Sequence, residues 1–578
     1  MLPASVEERL AHLTPDQRAA ATAPPGPILC VAPAGSGKTT TLVARIAWRV
    51  ASGTPGDRIR AVTFNKRAAV ELGERVDAAL APLGQAPGAV RVGTLHALGR
   101  EILVAAGVPV EPLLDRSQVL AELAGAPFGP AALRRLDDAF SRLKLDLAVD
   151  TARLAHEVAA ESAAGRPPGP VLGAFLAYEG ALAERGGLDF DDFLRRVLVV
   201  LEARPILLAA WRERCATLLV DEAQDLDRSQ LRLALLLAAP ANDVFLVGDD
   251  DQTIYAWRLA DVRRILGLAA DLPGLRRVDL VTNFRCPPEV VRRAVRLVEH
   301  NRERFAKRIR AAAGASGTLR LLPDPGDDVA RARSLLRAWG PDLRAEGSSG
   351  SHAILARTNA ELAPYAAVAI ELDVPYRAAE DGLDLLEDPG LIDLLARAGP
   401  DDDAALPALS RMAAAEPVAE DRMGIEALLG WAAAVRPSTL GALRQALGRA
   451  REQRQRLRRD DASLVLATAH ATKGLEFDHV ACVGHDAGRF PSRRSLEEAP
   501  DPVRALEEER RLAYVAWTRA RRELLLLHDP GEPSPFLEEA FEPEELRAAA
   551  RATASPATAS PATARAGPAR GPAPPGRS

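Results

Sequence analysis

Ala32-Pro33-Ala34-Gly35-Ser36-Gly37-Lys38-Thr39-Thr40 follows the apolar run Ile28–Val31 and precedes a helical pattern from Leu42 to Val50. A buried strand, a glycine loop, Lys-Thr and a helix form the layout that holds a triphosphate. Glycines let backbone N–H groups turn inward onto phosphate oxygens, and the helix N-terminus adds positive potential. In such a loop Lys38 reaches the β and γ phosphates and Thr39 ligates Mg²⁺. Ala34, Gly35, Ser36, Gly37, Lys38, Thr39 and Thr40 are therefore the candidate phosphate-binding residues. Ala32 stands where the G-x-x-x-x-G-K-[ST] pattern begins, so its first glycine is missing. The alternative reading is a plain glycine turn between strand and helix.

Moving outward, Leu218-Leu219-Val220 runs into Asp221-Glu222-Ala223-Gln224-Asp225. An acidic strand end downstream of a phosphate loop suits an ATPase: Asp221 holds Mg²⁺ and Glu222 orients and deprotonates the attacking water. The next strand closes on Gly248-Asp249-Asp250-Asp251-Gln252. Gln252 is neutral and can hydrogen-bond the γ-phosphate or the water. Tyr255, Trp257 and Arg258 follow within six residues of it. Aromatic faces stack on unpaired bases and Arg adds a phosphate or cation–π contact; packing of Tyr255 and Trp257 against a neighbouring domain is an equal reading from these residues alone.

Other β-branched or leucine-rich runs lie at Ala61–Phe64, Val244–Val247, Val278–Val281, Ala353–Ala356, Leu464–Thr468, His479–Val483 and Leu524–Leu527, with helical patterns between them. Buried parallel strands alternating with helices read this way. The runs before and after about residue 275 predict two doubly wound α/β domains. Residues 98–187 and 382–460 lack strand signals and read as helical insertions. From about residue 545 the chain is Ala, Pro, Ser, Thr and Arg, and it reads as a disordered tail.

Composition narrows the rest. The net charge of -5 provides no global basic field, so any nucleic acid must sit in a local groove. The 4 cysteines, Cys30, Cys215, Cys286 and Cys482, are widely spaced, which reads as reduced buried thiols rather than an iron–sulfur or zinc site. Glu7, Glu8 and Arg9 stand where a signal peptide has its apolar region, and the run from Leu231 to Ala241 is too short for a bilayer. A cytoplasmic protein is the expectation.

These motifs, in this order, resemble the superfamily-1A DNA helicases of the UvrD/Rep/PcrA type over residues 13–527. Leu13-Thr14-Pro15-Asp16-Gln17 resembles the Q-motif, which implies that Gln17 reads adenine. Thr63-Phe64-Asn65-Lys66 resembles the next motif, in reordered form, with Phe64 the base-contacting aromatic. Gly93-Thr94-Leu95-His96 resembles a segment that touches single-stranded backbone, and Leu188-Asp189-Phe190-Asp191-Asp192 the element that re-enters the first motor domain. Asp221 to Asp225 and Gly248 to Arg258 match the following motifs, with Leu259 in place of a glycine. Asn283-Phe284-Arg285 resembles N-Y-R, which implies Phe284 on adenine and Arg285 on the γ-phosphate. Thr468 to Phe477 resembles T-x-H-x-A-K-G-L-E-F. It implies that Thr468, His470 and Lys473 face DNA and that Gly474 and Glu476 lie by the nucleotide, with Glu476 on the ribose. Arg510 to Ala520 resembles the last motif, with Arg519 the second arginine finger.

The resemblance implies two RecA-like motor domains. The first spans 1–97 and 188–275 around the insertion 98–187. The second spans 276–381 and 461–544 around the insertion 382–460, and the tail is 545–578. It implies ATP and Mg²⁺ as cofactors, single-stranded and tailed duplex DNA as partners, repair or replication as context, 3′→5′ movement, and a monomer or weak self-association. The catalytic set is then Glu222, Gln252, Arg285 and Arg519, the metal set Thr39 and Asp221, and the DNA set Phe64, Thr94, His96, Tyr255, Trp257, Arg258, Thr468, His470 and Lys473. The second insertion is short for the family, starts near Pro400-Asp401-Asp402-Asp403 and ends in the basic run Arg449 to Arg459. That run reads either as a duplex contact or as a solvated helix face. The rival function is a DNA-bound ATP switch that recruits partners without processive unwinding.

Overall fold

The computed structural model describes residues 2–124, 130–145, 169–344, 350–378, 389–415, 425, 428–433 and 435–554. Within them the chain builds two six-stranded sheets, each wholly parallel. The strands of the first are β1 (Ile28–Val31), β2 (Ile59–Thr63), β3 (Arg91–Thr94), β4 (Thr217–Val220), β5 (Val244–Gly248) and β6 (Arg276–Asp279). They lie in the order β3-β2-β4-β5-β1-β6. A short parallel pair, β7 (Thr282–Asn283) with β8 (Arg310–Ala311), leads into the second lobe. There β9 (Thr318–Pro323), β10 (His352–Ala356), β11 (Tyr376–Ala378), β12 (Leu464–Thr468), β13 (Phe477–Cys482) and β14 (Ala520–His528) lie in the order β11-β12-β10-β13-β14-β9. This is the doubly wound α/β class expected from the sequence.

Every residue of the interior strands β1, β2, β4, β5, β10 and β12 is buried. Helices cover both faces, so these strands read as unbroken apolar runs. The edge strands β3, β6, β9 and β11 are partly exposed. Three of them, β3, β9 and β11, carry no apolar run and are not expected from the sequence. The fourth corrects the grouping of the runs. Val278 belongs to the first sheet, not the second, because β6 pairs with β1 from Ile28↔Arg276 to Val31↔Asp279. The first sheet therefore extends beyond residue 275.

The expected start of the tail is also corrected. Pro543–Ala554 is a helix. Glu545 accepts from Arg293, and Leu546 packs on the second lobe's core. Residues 555–578 lie outside the described residues.

The first insertion contributes helices Arg116–Ala124, Pro130–Leu145 and Pro170–Glu184. Its root is a buried charge cluster. Lys144 reaches Asp189 and Asp192 at 2.9 and 3.1 Å, and Arg116 reaches Asp189 and Asp191 at 2.7 and 2.9 Å. The second insertion is built differently. Leu409, Leu428, Ala432, Leu440 and Leu443 are fully buried in one core with Leu336, Tyr365, Leu464 and Leu466 of the second lobe. A fully buried leucine contributes about 1.5–3 kcal/mol, so this insertion is held as part of the lobe. Of its basic run, Arg449 is exposed and Arg459 pairs with Asp461 at the surface.

Candidate nucleotide site and nucleic-acid groove

The phosphate loop joins β1 to the helix Lys38–Ala51, whose N-cap is Gly37. Gly35 and Gly37 have φ of 66° and 81°, the left-handed region where a side chain is strained. Space enforces the same choice. A Cβ on Gly37 would lie 2.5 Å from Gln17 Nε2, and one on Gly35 2.7 Å from Arg285 Cβ. Gln17 is held by a capping box with Thr14 at the start of helix Pro15–Ala21, and its Nε2 donates to Ser36 O at 2.9 Å. The buried Arg45 fixes that helix on Lys38–Ala51 by donating to the carbonyls of Ala20 and Ala23. Thr39 is half-buried and Thr40 exposed at the helix start.

The acids arrive from the ends of the neighbouring strands. Asp221 follows β4 and accepts from Glu222 N at 3.0 Å. Glu222 sits at φ 50° and pairs with Lys38 at 3.1 Å. Burial, with Glu222 alongside, pushes the Asp221 carboxyl up to about 7. Burial also opposes ionisation of Glu222, but Lys38 and Lys473 outweigh it and hold that carboxyl down at about 2. Gln224 donates to Glu222 at 2.7 Å, and Gln252 donates to Asp249 Oδ2 at 2.6 Å.

The second lobe reaches this site directly. Asn283 Nδ2 donates to Ala34 O and Phe284 N to Gly35 O, both at 2.8 Å. Arg285 then lies on the loop, paired with Glu476 at 2.8 Å and donating to Thr518 O. Arg519, 1% exposed, directs Nη2 toward Gln252 Oε1 at 3.4 Å. Burial, with Arg285 beside it, lowers the Arg519 pKa to about 9. A buried guanidinium held next to a second one favours an anion between the lobes. Phe284 is exposed on the loop side, Glu476 is partly exposed, and Gly474 sits at φ 86° in the turn before β13. Gln17, the loop, Asp221, Glu222, Gln252, Arg285, Arg519, Phe284 and Glu476 are thus one constellation.

A groove of about 1070 Å³ lies beside it, lined in part by Phe64, Thr94, His96, Phe190, Trp257 and Arg258. Phe64 stacks on Tyr255 with ring centres 5.2 Å apart and planes 5° apart. Trp257 is 47% exposed, edge-on to Tyr255, with Arg258 over its ring at 4.6 Å. Thr94 caps the helix Leu95–Ala105 by accepting from Ala97 N. His96 stacks on Phe190 at 4.2 Å, and burial lowers its pKa to about 4. Phe190, 56% exposed, is a groove residue that sequence reasoning passed over. An unexplained aromatic inside an Asp-rich turn was its only signal.

On the second lobe, Thr468 accepts from Ala471 N, and burial with Arg357 nearby pushes the His470 imidazole down to about 3. His470 O accepts from Tyr255 Oη at 3.5 Å. Lys473 differs from expectation. Its ammonium is ion-paired to Asp225, donates to Gln252 O and lies 5.0 Å from the Tyr255 ring centre, so it faces the seam rather than the groove. The buried Asp225 and the carbonyl attract it more strongly than solvent does.

Comparison with known proteins agrees with this geometry. Residues 13–273 match the UvrD/REP helicase N-terminal domain and residues 439–528 the UvrD-like helicase C-terminal domain. The chain is 31% identical over 573 residues to ATP-dependent DNA helicase UvrD2 of Mycobacterium tuberculosis (strain ATCC 25618 / H37Rv), covering 91% of this chain and 81% of that protein. It is 27% identical to ATP-dependent DNA helicase Rep of Escherichia coli (strain K12), covering 89% and 90%, and 27% identical to DNA helicase II of the same strain, covering 90% and 84%. With both helicase halves matched in order, and the second half's arginines set against the first half's phosphate loop, the chain belongs to the UvrD/Rep helicase family.

Proposed function

We propose that the protein is an ATP-driven 3′→5′ translocase on single-stranded DNA and a DNA helicase, acting in repair or replication. The observation that carries this is the placement of Arg285 and Arg519, from the second lobe, at the phosphate loop and Gln252 of the first. A γ-phosphate held by Lys38 is contacted by both arginines only while the lobes are closed, so ATP favours closure and hydrolysis releases it. When ATP enters, its γ-phosphate competes with Glu222 for Lys38. Glu222, still held by Gln224, then orients the attacking water and takes its proton. Gln252 and Arg519 report whether the terminal phosphate is attached. Gln17 and Phe284 flank the place for adenine, and Glu476, released from Arg285, the place for ribose.

Thr39 and Asp221 are the residues that would hold Mg²⁺. Their hydroxyl and carboxylate oxygens suit a hard cation, and a cation answers the unfavourable burial of Asp221 beside Glu222. Bound there, the ion supplies positive charge to the phosphate oxygens. The aromatic groove takes bases on Trp257 and Phe64, with Thr94 and Thr468 on the backbone of the strand. Among the described residues, no helix is long and apolar enough to cross a membrane.

The second insertion, held in the core of the second lobe, favours a narrower reading as well: translocation with little strand separation. ATP turnover stimulated by single strands, measured alongside unwinding of a 3′-tailed duplex, tests both. Multiple turnover with unwinding supports the helicase and multiple turnover without it supports the translocase. A single ATP bound without turnover supports the switch.

A further inference from the structure

Three consecutive carboxylates, Asp249, Asp250 and Asp251, follow β5, and all three are 0% exposed. Such a run is costly to bury unless cations are buried with it. One lysine answers all three. Lys307 Nζ lies 2.6 Å from Asp249, 2.5 Å from Asp250 and 2.9 Å from Asp251, and its side chain is 1% exposed. Arg304 adds a two-pronged pair to Asp251 at 3.0 and 2.8 Å, and Phe305 N donates to Asp250 at 2.8 Å.

These partners sit on the connection between helix Pro288–Val298 and β8. The upstream end of the same connection is bound to the second lobe. Asn301 Nδ2 donates to Glu507 O at 3.0 Å, Arg302 N and Glu303 N donate to the Glu507 carboxylate, and Arg511 donates to Glu303 O at 2.7 Å. Glu507 and Arg511 belong to the helix Pro502–Trp517, two residues before Arg519. Asp249, at the other end, is the acceptor that orients the Gln252 amide. Seven residues thus connect the turn that carries Gln252 to the helix whose C-terminal end leads into Arg519.

We propose that Asn301–Lys307 is a strut that sets the register between Gln252 and Arg519, with Lys307 a positioning residue for hydrolysis. The proposal rests on the motor reading above. The buried Lys307 ammonium is engaged by the three aspartates, so it acts through Asp249. Its loss leaves the turn with uncompensated charge, and Gln252 loses its fixed orientation.

Lys307→Met alone removes the ion-pair partner described above for the buried Asp249 and Asp250, while Arg304 still pairs with Asp251, and it endangers folding. The test is therefore Lys307→Met combined with Asp250→Asn, which removes one negative charge together with the ammonium and leaves both ligands of the Gln252 turn, Asp249 and Gln252, intact. A merely structural role predicts that the double variant with wild-type thermal stability also has wild-type turnover. The strut predicts restored stability, a KM for ATP within about threefold of wild type, and a single-strand-stimulated kcat lower by about tenfold or more. It also predicts faster amide hydrogen exchange over residues 249–253 in the presence of a non-hydrolysable ATP analogue. Wild-type kcat, or unchanged exchange, in the double variant overturns the strut. If wild-type protein shows no single-strand-stimulated turnover, the motor reading fails, and the exchange measurement alone decides the strut.

Discussion

The two lobes have the same six-stranded parallel architecture, yet they face the candidate nucleotide site with opposite edges. The first presents the carboxyl ends of its strands. The phosphate loop follows β1, Asp221 follows β4 and Asp249 follows β5. The second presents amino ends, with Glu476 directly before β13 and Arg519 directly before β14. Ligands of open α/β sheets bind at carboxyl ends because helix N-termini and their free N–H groups gather there. An amino-end edge lacks those groups, so whatever it contributes must come from charged side chains. The two edges therefore contribute differently: a backbone cradle with Asp221 and Glu222 from one lobe, and side chains led by Arg285 and Arg519 from the other.

Substitutions that remove one side's contribution sharpen this division. The largest effect belongs to Lys38→Ala, which takes away the cradle's charge and the partner of Glu222; ATP turnover falls by about 10⁴-fold or more, below detection in a steady-state assay. Arg519→Ala comes next. An arginine reaching a γ-phosphate from a neighbouring lobe contributes about 10³-fold in kcat, and the loss should fall on kcat with little change in nucleotide affinity. A rise in KM alone would place Arg519 outside the transition state. Because Arg519 also donates to Val515 O and Leu475 O, thermal melting has to accompany the kinetics. Glu222→Gln is milder, about 10²-fold in kcat. Glutamine keeps a hydrogen-bonding carbonyl but takes no proton, so bound ATP persists and the lobes stay closed. ADP formation at the wild-type rate in a rapid-quench experiment would count against Glu222 as the base.

Legibility in the sequence followed burial. The interior strands showed as apolar runs because both of their faces are covered, and the phosphate loop and acidic strand ends showed because their chemistry needs particular residues at fixed spacing. The edge strands β3, β9 and β11 escaped because the exposed Arg91 and Arg320 and the half-buried Arg377 break the pattern. At the site, Gln17, Arg285 and Arg519 were recognised from motif order and are found together. Lys473 was expected on DNA and its ammonium here meets a carboxylate, because one sequence cannot say whether a lysine meets a phosphate or a buried carboxylate. Asp225 supplies the carboxylate, 248 residues away along the chain. The same limit hid Lys307, whose three acceptors are contiguous in sequence while it is not.

The groove repeats the division on a smaller scale, and Trp257 against Tyr255 is its finest test. Both aromatics come from one turn of the first lobe. Tyr255 is committed to the protein, with Phe64 stacked on it, Lys473 near its ring and His470 O at its hydroxyl. Trp257 is 47% exposed, and Arg258 covers only one region of its ring. Stacking of a base on an aromatic is worth about 1–3 kcal/mol. With Arg258 competing for the ring, Trp257→Ala should weaken single-strand binding by about tenfold, at the low end of that range. Basal ATP turnover and the melting temperature should stay at wild-type values, because Trp257 supports neither the cradle nor the core. Tyr255→Ala should instead lower the melting temperature together with DNA stimulation, since it removes a plank shared by both lobes. Fluorescence anisotropy with a labelled oligonucleotide, paired with thermal melts, separates the two. If Trp257→Ala bound DNA as tightly as wild type while Tyr255→Ala lost binding without losing stability, their assignments would be reversed, and the base would have to stack at the seam between lobes rather than in the open groove.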